Sequence, residues 1–186
     1  MEVSVSYVLI VVGWLGGAVN GAAVSTQEFT SAERCEAARL ALVQDAKARG
    51  LDPALVAGLI RQESSFNPRA LSVAGARGLM QVLPSVGAEV SRSLDFPLWN
   101  AALLFDADAN LQLGTAHLAS FVKQYGALPR VLAAYNAGGS RVARWSTRAG
   151  VDDTEIFAER IPFVETRDYV RIVQRNAELY RVLYGW

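Results

Sequence analysis

The chain has 186 residues, of which 52% are apolar and 19% charged, so it can build a packed core and is not broadly disordered. Its 18 basic and 18 acidic residues cancel, and without a basic tail or acidic run nothing points to a nucleic-acid partner. With one Cys and one His, the chain cannot form an intrachain disulfide or a cysteine-based zinc cluster. We therefore expect no metal and no cofactor. The count does not exclude a cation site built from carboxylates alone.

Residues 1–25 differ in composition from the rest of the chain. The apolar run Tyr7 to Val19 is shorter than the roughly 20 residues that a membrane span needs, and the small residues Gly21 to Ala23 follow it. This pattern predicts a secretory signal peptide and hence a periplasmic protein. Because the start carries Glu2 and no Lys or Arg, an uncleaved N-terminal anchor, which would tether the protein to the membrane, and a misplaced start codon are the alternatives.

Helical spacing begins after this segment. Residues Ser31 to Arg49 predict one helix, which Gly50 ends. Asp52-Pro53 starts a second helix, because Asp can cap it and Pro fits its first position. The second helix has an apolar face up to about Arg61 and stops before Pro68.

The remaining elements are also predicted to be helical. We expect a short helical piece at Leu79–Leu83, loop with some helical turns over residues 94–107, and further helices at Asp108–Tyr125, from Pro129 to about Ala137, around Val142 and Trp145, and from Thr166 onwards. A polar loop is predicted at residues 148–154, and no clearly alternating strand appears. We therefore predict an all-α fold, with one compact helical domain over residues 30–186.

Glu63 is the first candidate for chemistry. It ends an apolar helix, where the partial negative charge of the helix terminus disfavours a carboxylate, and Ile60 and Phe66 would desolvate it. Arg61 points to another face of the helix. The pKa of Glu63 should therefore lie above the usual value of about 4.3, and a carboxyl protonated near neutral pH can protonate a leaving glycosidic oxygen. The alternative is an ordinary solvated glutamate at a helix end.

Four motifs decide between these interpretations. In chain order they read QESSFNP, GARGLMQVLP, AAYNAG and ERIPFVETRDYV. Together they resemble the catalytic domain of lytic transglycosylases, most closely the soluble type, whose lysozyme-like helical fold is similar to that of goose-type lysozyme. The resemblance extends from about Ala46 to the C-terminus. It implies cleavage of the β-1,4 bond between N-acetylmuramic acid and N-acetylglucosamine in peptidoglycan glycan strands, with formation of a 1,6-anhydromuramyl product.

The resemblance also implies roles for individual residues. Glu63 would be the single catalytic acid and then base, with Tyr135 orienting or tuning it. Gln81 would form a hydrogen-bonding wall of the sugar cleft, and Met80 an apolar wall. The implied substrate-binding residues are Ser64, Met80, Gln81, Tyr135, Asn136 and Glu159.

Several of these residues have a purely structural alternative. Met80 could belong to the core, and Tyr135 could be a buried aromatic with a satisfied hydroxyl. Asn136 could bond backbone in the turn before Gly138. Glu159 could form a surface salt bridge with Arg167 or Arg171. Asn110 is read as structural, and the aspartates Asp106 and Asp108 are read as the capping group of the helix that they precede.

Two other functions stay open. A muramidase would need a second carboxylate to activate water on the opposite face of the sugar, and Asp95, Asp106 or Asp108 would have to face Glu63 to supply it. A non-catalytic wall-binding module could instead serve a secretion or conjugation apparatus. Such a module would not need the residues of a working active site, and the chain retains three of them, Glu63, Gln81 and Tyr135.

Overall fold

A computed structural model describes residues 7–9, 27–29, 32–96, 98–148 and 151–186 of the chain. The α-helices of this described part are α1 (Ala32–Ala48), α2 (Pro53–Ser64), α3 (Pro84–Ser93), α4 (Ala107–Tyr125), α5 (Leu128–Ala137), α6 (Gly139–Ser146), α7 (Thr154–Glu159) and α8 (Val164–Tyr184), with a 3-10 helix at Ala101–Phe105. Two short strands, β1 (Tyr7–Leu9) and β2 (Gln27–Phe29), pair antiparallel. The predicted all-α class is confirmed.

The predicted signal peptide lies outside the described residues, except for Tyr7–Leu9. Across the ranges that the structure describes, no helix combines the length and apolarity that a membrane crossing requires.

Helix ends follow the capping signals of the sequence. Asp52 accepts a hydrogen bond from the Ala54 amide at 2.9 Å, and Pro53 occupies the first turn of α2. Asp106 caps α4 in the same way, accepting from the Ala109 amide at 2.9 Å. The capping role expected of Asp106 is confirmed.

One part of the predicted helix pattern is wrong, and one short helix was not predicted. Leu79–Leu83 does not form a helix, because Gly78 (φ 74°) and Gln81 (φ 47°) adopt left-handed backbone conformations. The chain instead makes a turn in which Arg77 and Val82 form an isolated antiparallel β-bridge. Helix α3 begins at Pro84, directly after the segment that was predicted to be helical. Helix α7 was not predicted, because six residues are too few to show a helical period; it begins at the last residue of the predicted polar loop.

The packing of α2 against α8 determines where the site lies. The two helices run antiparallel, because Arg181 near the end of α8 forms a salt bridge with Asp52 at the start of α2 (2.6 Å) and Tyr169 near the start of α8 meets Glu63 at the end of α2. They approach closely at Gly58, where a Cβ would lie 2.7 Å from the backbone nitrogen of Ala177. A larger residue at this position would separate Glu63 from α8.

Candidate active site

Glu63 lies at the C-terminal end of α2 and bonds to a tyrosine of α8. The Tyr169 hydroxyl donates a hydrogen bond to Glu63 Oε1 at 2.6 Å. Burial raises the pKa of Glu63 to about 7, although the hydrogen bond from Tyr169 acts to lower it. Glu63 therefore holds its proton for a large part of the time near neutral pH.

Glu63 faces a cavity of about 370 Å³, within the range of ligand sites. The cavity is lined by residues of α2, α5 and α8, namely Gln62, Glu63, Asn136, Glu165, Asp168, Tyr169 and Ile172. Polar groups dominate this lining, and it contains no basic side chain. An uncharged polar ligand such as a sugar fits this chemistry.

A turn carrying Leu79, Met80 and Gln81 is anchored to α4 by one buried side chain. Asn110 accepts a hydrogen bond from the Met80 amide at 2.8 Å and donates to the carbonyls of Arg77 (2.9 Å) and Leu104 (2.8 Å). Gly78 makes this approach possible, because a Cβ there would lie 2.0 Å from the Leu104 oxygen. The structural role predicted for Asn110 is confirmed.

Two of the predicted site residues tie other elements to the same turn. The Tyr135 hydroxyl on α5 donates to the Met80 carbonyl at 2.8 Å, and the Ser64 hydroxyl at the end of α2 donates to the Leu79 carbonyl at 2.7 Å. Burial raises the pKa of Tyr135 well above its usual value, and the charge of Glu63 raises it further, so the two groups are electrostatically coupled and the phenol stays neutral. Motifs far apart in sequence thus meet around Glu63.

Met80 does not form the expected apolar wall. Its side chain is completely buried and packs against α4, where a Cβ on Gly114 would lie 2.5 Å from the Met80 sulfur. The structural alternative, a core methionine, is what the structure shows. Leu83, 38% exposed, is the apolar side chain of this motif that reaches solvent.

The other predicted residues have mixed positions. The Gln81 amide donates to the carbonyls of Ala70 (3.2 Å) and Gly78 (3.0 Å), so it holds the turn together. Asn136 lines the cavity and accepts a hydrogen bond from the Thr166 hydroxyl at 2.7 Å. Glu159 is exposed, pairs with Arg171 at 2.8 Å and is not among the residues that line the cavity.

The cavity lining does not include the aspartates that were considered as a second catalytic carboxylate, namely Asp95, Asp106 and Asp108. It does include two other carboxylates, Glu165 and Asp168. Asp168 lies 3.8 Å from the guanidinium of Arg171. Within the ranges that the structure describes, no group of three or more His, Cys, Asp or Glu residues could hold a metal ion.

Tyr169, which donates a hydrogen bond to Glu63, was not identified from the sequence. It lies within the last motif, four residues after Glu165, so both fall on one face of α8. That spacing was visible in the sequence. The bond between this face and Glu63 depends on how α2 crosses α8, which the sequence does not show.

The raised pKa of Glu63 predicts a pH-dependent stability. Since the folded protein holds the proton up to about pH 7 and a free glutamate only to about 4.5, the free energy of unfolding should fall as pH rises through this window. We expect Glu63→Gln to be more stable than the wild type by about 2 kcal/mol at pH 8, allowing for partial solvent access, and equally stable at pH 4. Urea unfolding at both pH values measures this, and a difference that does not change with pH would contradict it.

Comparisons with known proteins agree with this geometry. Residues 41–157 match the family model described as "Transglycosylase SLT domain". The soluble lytic murein transglycosylase of Escherichia coli is 38% identical over 131 residues, covering 68% of this chain and 20% of that protein. The membrane-bound lytic murein transglycosylase C of Cronobacter sakazakii is 33% identical over 162 residues, covering 74% of this chain and 44% of that protein.

Solved structures give the same result. An inactive mutant of the lytic transglycosylase Slt from Pseudomonas aeruginosa superposes with a TM-score of 0.72 at 38% identity, over 79% of this chain and 24% of that one. A 70-kDa soluble lytic transglycosylase in complex with bulgecin A gives a TM-score of 0.74 at 33% identity, over 78% and 24%. The chain thus spans about a fifth of the length of the soluble relatives that it matches.

Proposed function

Because the chain belongs to the transglycosylase SLT domain family, we propose that it is a lytic transglycosylase that cleaves the MurNAc-β-1,4-GlcNAc bond of peptidoglycan and leaves a 1,6-anhydromuramyl end. The observation that carries this proposal is Glu63, a carboxyl with a pKa of about 7 that faces a polar cavity. The relatives are named as lytic murein transglycosylases, and this supports peptidoglycan as the substrate class.

One carboxyl suffices for both halves of the proposed reaction. Protonated Glu63 donates its proton to the glycosidic oxygen as the bond to muramic C1 breaks. The N-acetyl oxygen of the substrate stabilises the positive charge at C1, so no protein nucleophile is required. The Glu63 carboxylate then takes the proton of the muramic C6 hydroxyl as that oxygen bonds to C1, which regenerates the acid without consuming water.

Tyr169 positions Glu63 and limits its pKa. In Tyr169→Phe the carboxylate loses a hydrogen-bond donor, so the pKa of Glu63 should rise and the alkaline limb of the kcat/KM profile should move to higher pH. Tyr125→Phe is the matched control, because that hydroxyl donates to the Gly139 carbonyl instead. A pH profile of Tyr169→Phe that does not move, or that moves to lower pH, would count against this role.

The other residues of the site take supporting roles in this proposal. Asn136 offers its amide nitrogen to the sugar, since its oxygen already accepts from Thr166. The turn at residues 77–82 is the element through which four of the residues act, namely Ser64, Gln81, Met80 and Tyr135. Glu159 acts through Arg171, which lies next to the cavity residue Asp168. We place the catalytic domain at residues 30–186, because α8 supplies Tyr169. No cofactor enters the reaction.

The proposed location is the periplasm, where the substrate lies, with a membrane tether if the N-terminal segment is retained. Relatives named as soluble and as membrane-bound are both compatible with this location. The wall-binding alternative would add a secretion or conjugation apparatus as partner. A Glu63→Gln protein that retained full biological activity would favour that alternative.

Hydrolysis is the second candidate reaction, because Glu165 and Asp168 line the same cavity as Glu63. Either carboxylate would have to activate a water on the opposite face of the sugar. Mass spectrometry of the products from purified murein separates the two reactions. We expect anhydromuramyl ends, which are lighter by one water, whereas reducing ends alone would identify a muramidase.

A further inference from the structure

A second cavity lies between α1, α2, the start of α4 and the end of α8. Its volume is about 150 Å³, and its lining shares no residue with that of the cavity at Glu63. Helix α2 presents different faces to the two cavities, because Ala57 and Ile60 line the second one and Glu63 the first. The second cavity is called the apolar cavity below, and it is separate from the site of the proposed reaction.

Small side chains and aromatic rings build the apolar cavity. Ala41 of α1 contributes only a methyl group to its wall. The rings of Tyr180 and Trp186 form a flat surface, since their planes are inclined by only 20°. Ala38 and Asp108 are exposed members of the lining. The cavity therefore opens to solvent between α1 and α4, and a ligand can enter there.

One polar group of this lining is buried and unpaired. Tyr180 is 1% exposed, and its hydroxyl has no hydrogen-bond partner among the described residues. Burial raises the pKa of Tyr180, and the nearby charge of Arg61 acts in the opposite direction, so the phenol is a neutral donor. The Nη1 atom of Arg61 is likewise buried and without a partner in the described part of the chain. Both groups donate, so this end of the cavity favours an acceptor oxygen.

The size and the chemistry of the apolar cavity together define a class of ligand. An engineered apolar cavity of about this volume in another protein stays dry and binds benzene. Aromatic rings pack well on one another in offset arrangements, and the flat surface of Tyr180 and Trp186 allows such packing. The unpaired hydroxyl adds a preference for an oxygen on the ligand ring.

We propose that the apolar cavity binds a small aromatic molecule with one oxygen substituent, of the size of phenol, whose oxygen accepts a hydrogen bond from the Tyr180 hydroxyl. This inference does not depend on the proposed reaction, since the two cavities have separate linings. Because the ligand binds the folded chain and not the unfolded one, it stabilises the fold increasingly as its concentration exceeds Kd.

The first test measures the Kd of phenol and of toluene, two ligands of equal size, by NMR titration of the ¹⁵N-labelled full chain. Phenol should bind the wild type at one saturable site. Tyr180→Phe removes the donor and keeps the ring, so it should weaken phenol about fivefold and leave the Kd of toluene unchanged. A wild type that shows no saturable phenol binding, or a Tyr180→Phe variant that changes both Kd values equally, would overturn the proposal.

The second test locates the ligand by filling the apolar cavity. Ala41→Leu adds side-chain volume to the lining, so phenol should no longer raise the Tm of this variant. Ala37→Leu makes the same change at an exposed position of α1 outside the lining, and should keep the wild-type shift in Tm. A shift that persists in Ala41→Leu would place the ligand elsewhere and overturn the proposal.

Discussion

Glu63→Gln is expected to lower kcat for anhydromuramyl product formation by about 10³-fold, within the range that a general acid contributes. Glutamine keeps the shape of the side chain and can still accept the hydrogen bond from Tyr169, but it has no acidic proton to transfer to the glycosidic oxygen. Product formation measured by mass spectrometry over time gives this rate.

A matched control shows that the loss is local. Glu155→Gln makes the same chemical change on the exposed first turn of α7, outside the cavity lining, and should keep the wild-type rate. If Glu63→Gln also kept most of the activity, the acid would have to be another group. Glu165 and Asp168 would then be the residues to replace, since they line the same cavity.

Asn110→Ala is expected to destabilise the protein by about 4 kcal/mol, the second large effect. The change removes the side-chain partner of the Met80 amide and of the Leu104 carbonyl, and each unsatisfied buried group costs about 1–3 kcal/mol. The Arg77 carbonyl loses one of its two hydrogen bonds and keeps the one from the Val82 amide. Because a domain is stable by only about 5–15 kcal/mol, the variant should be close to unfolding at physiological temperature. Urea unfolding followed by circular dichroism measures the loss.

Asn100→Ala provides the comparison for this prediction. Asn100 is exposed and makes one capping hydrogen bond, to the Ala102 amide at 2.9 Å, so its loss should cost about 1 kcal/mol. Equal effects in the two variants would mean that the buried network around Met80 contributes no more than a surface cap. The turn would then have to be held by other contacts.

Sequence reasoning located the helices whose signals are local. The spacing of α2, α4 and α8 and the caps Asp52 and Asp106 depend on residues within a few positions of one another. Desolvation of Glu63 could also be predicted, because Ile60 and Phe66 are its close neighbours in sequence. The structure agrees with a raised pKa there.

What the sequence did not show depends on contacts between distant segments. Residues 77–82 form a turn because Asn110, Tyr135 and Ser64 bond its backbone from three other helices. The direction of each side chain in the motif follows from that turn. For this reason Met80 points into the core, although it belongs to a motif that the resemblance assigns to the sugar cleft. The meeting of Tyr169 and Glu63 likewise depends on the crossing of α2 and α8.

The carboxyl carbon of Glu63 can be titrated directly by ¹³C NMR, with Glu63→Gln identifying its resonance. We expect a midpoint of about pH 7, because burial disfavours the carboxylate in the cavity. A midpoint close to 4.5, the ordinary value, would show that the carboxyl is hydrated and has no proton to give to a glycosidic oxygen at neutral pH.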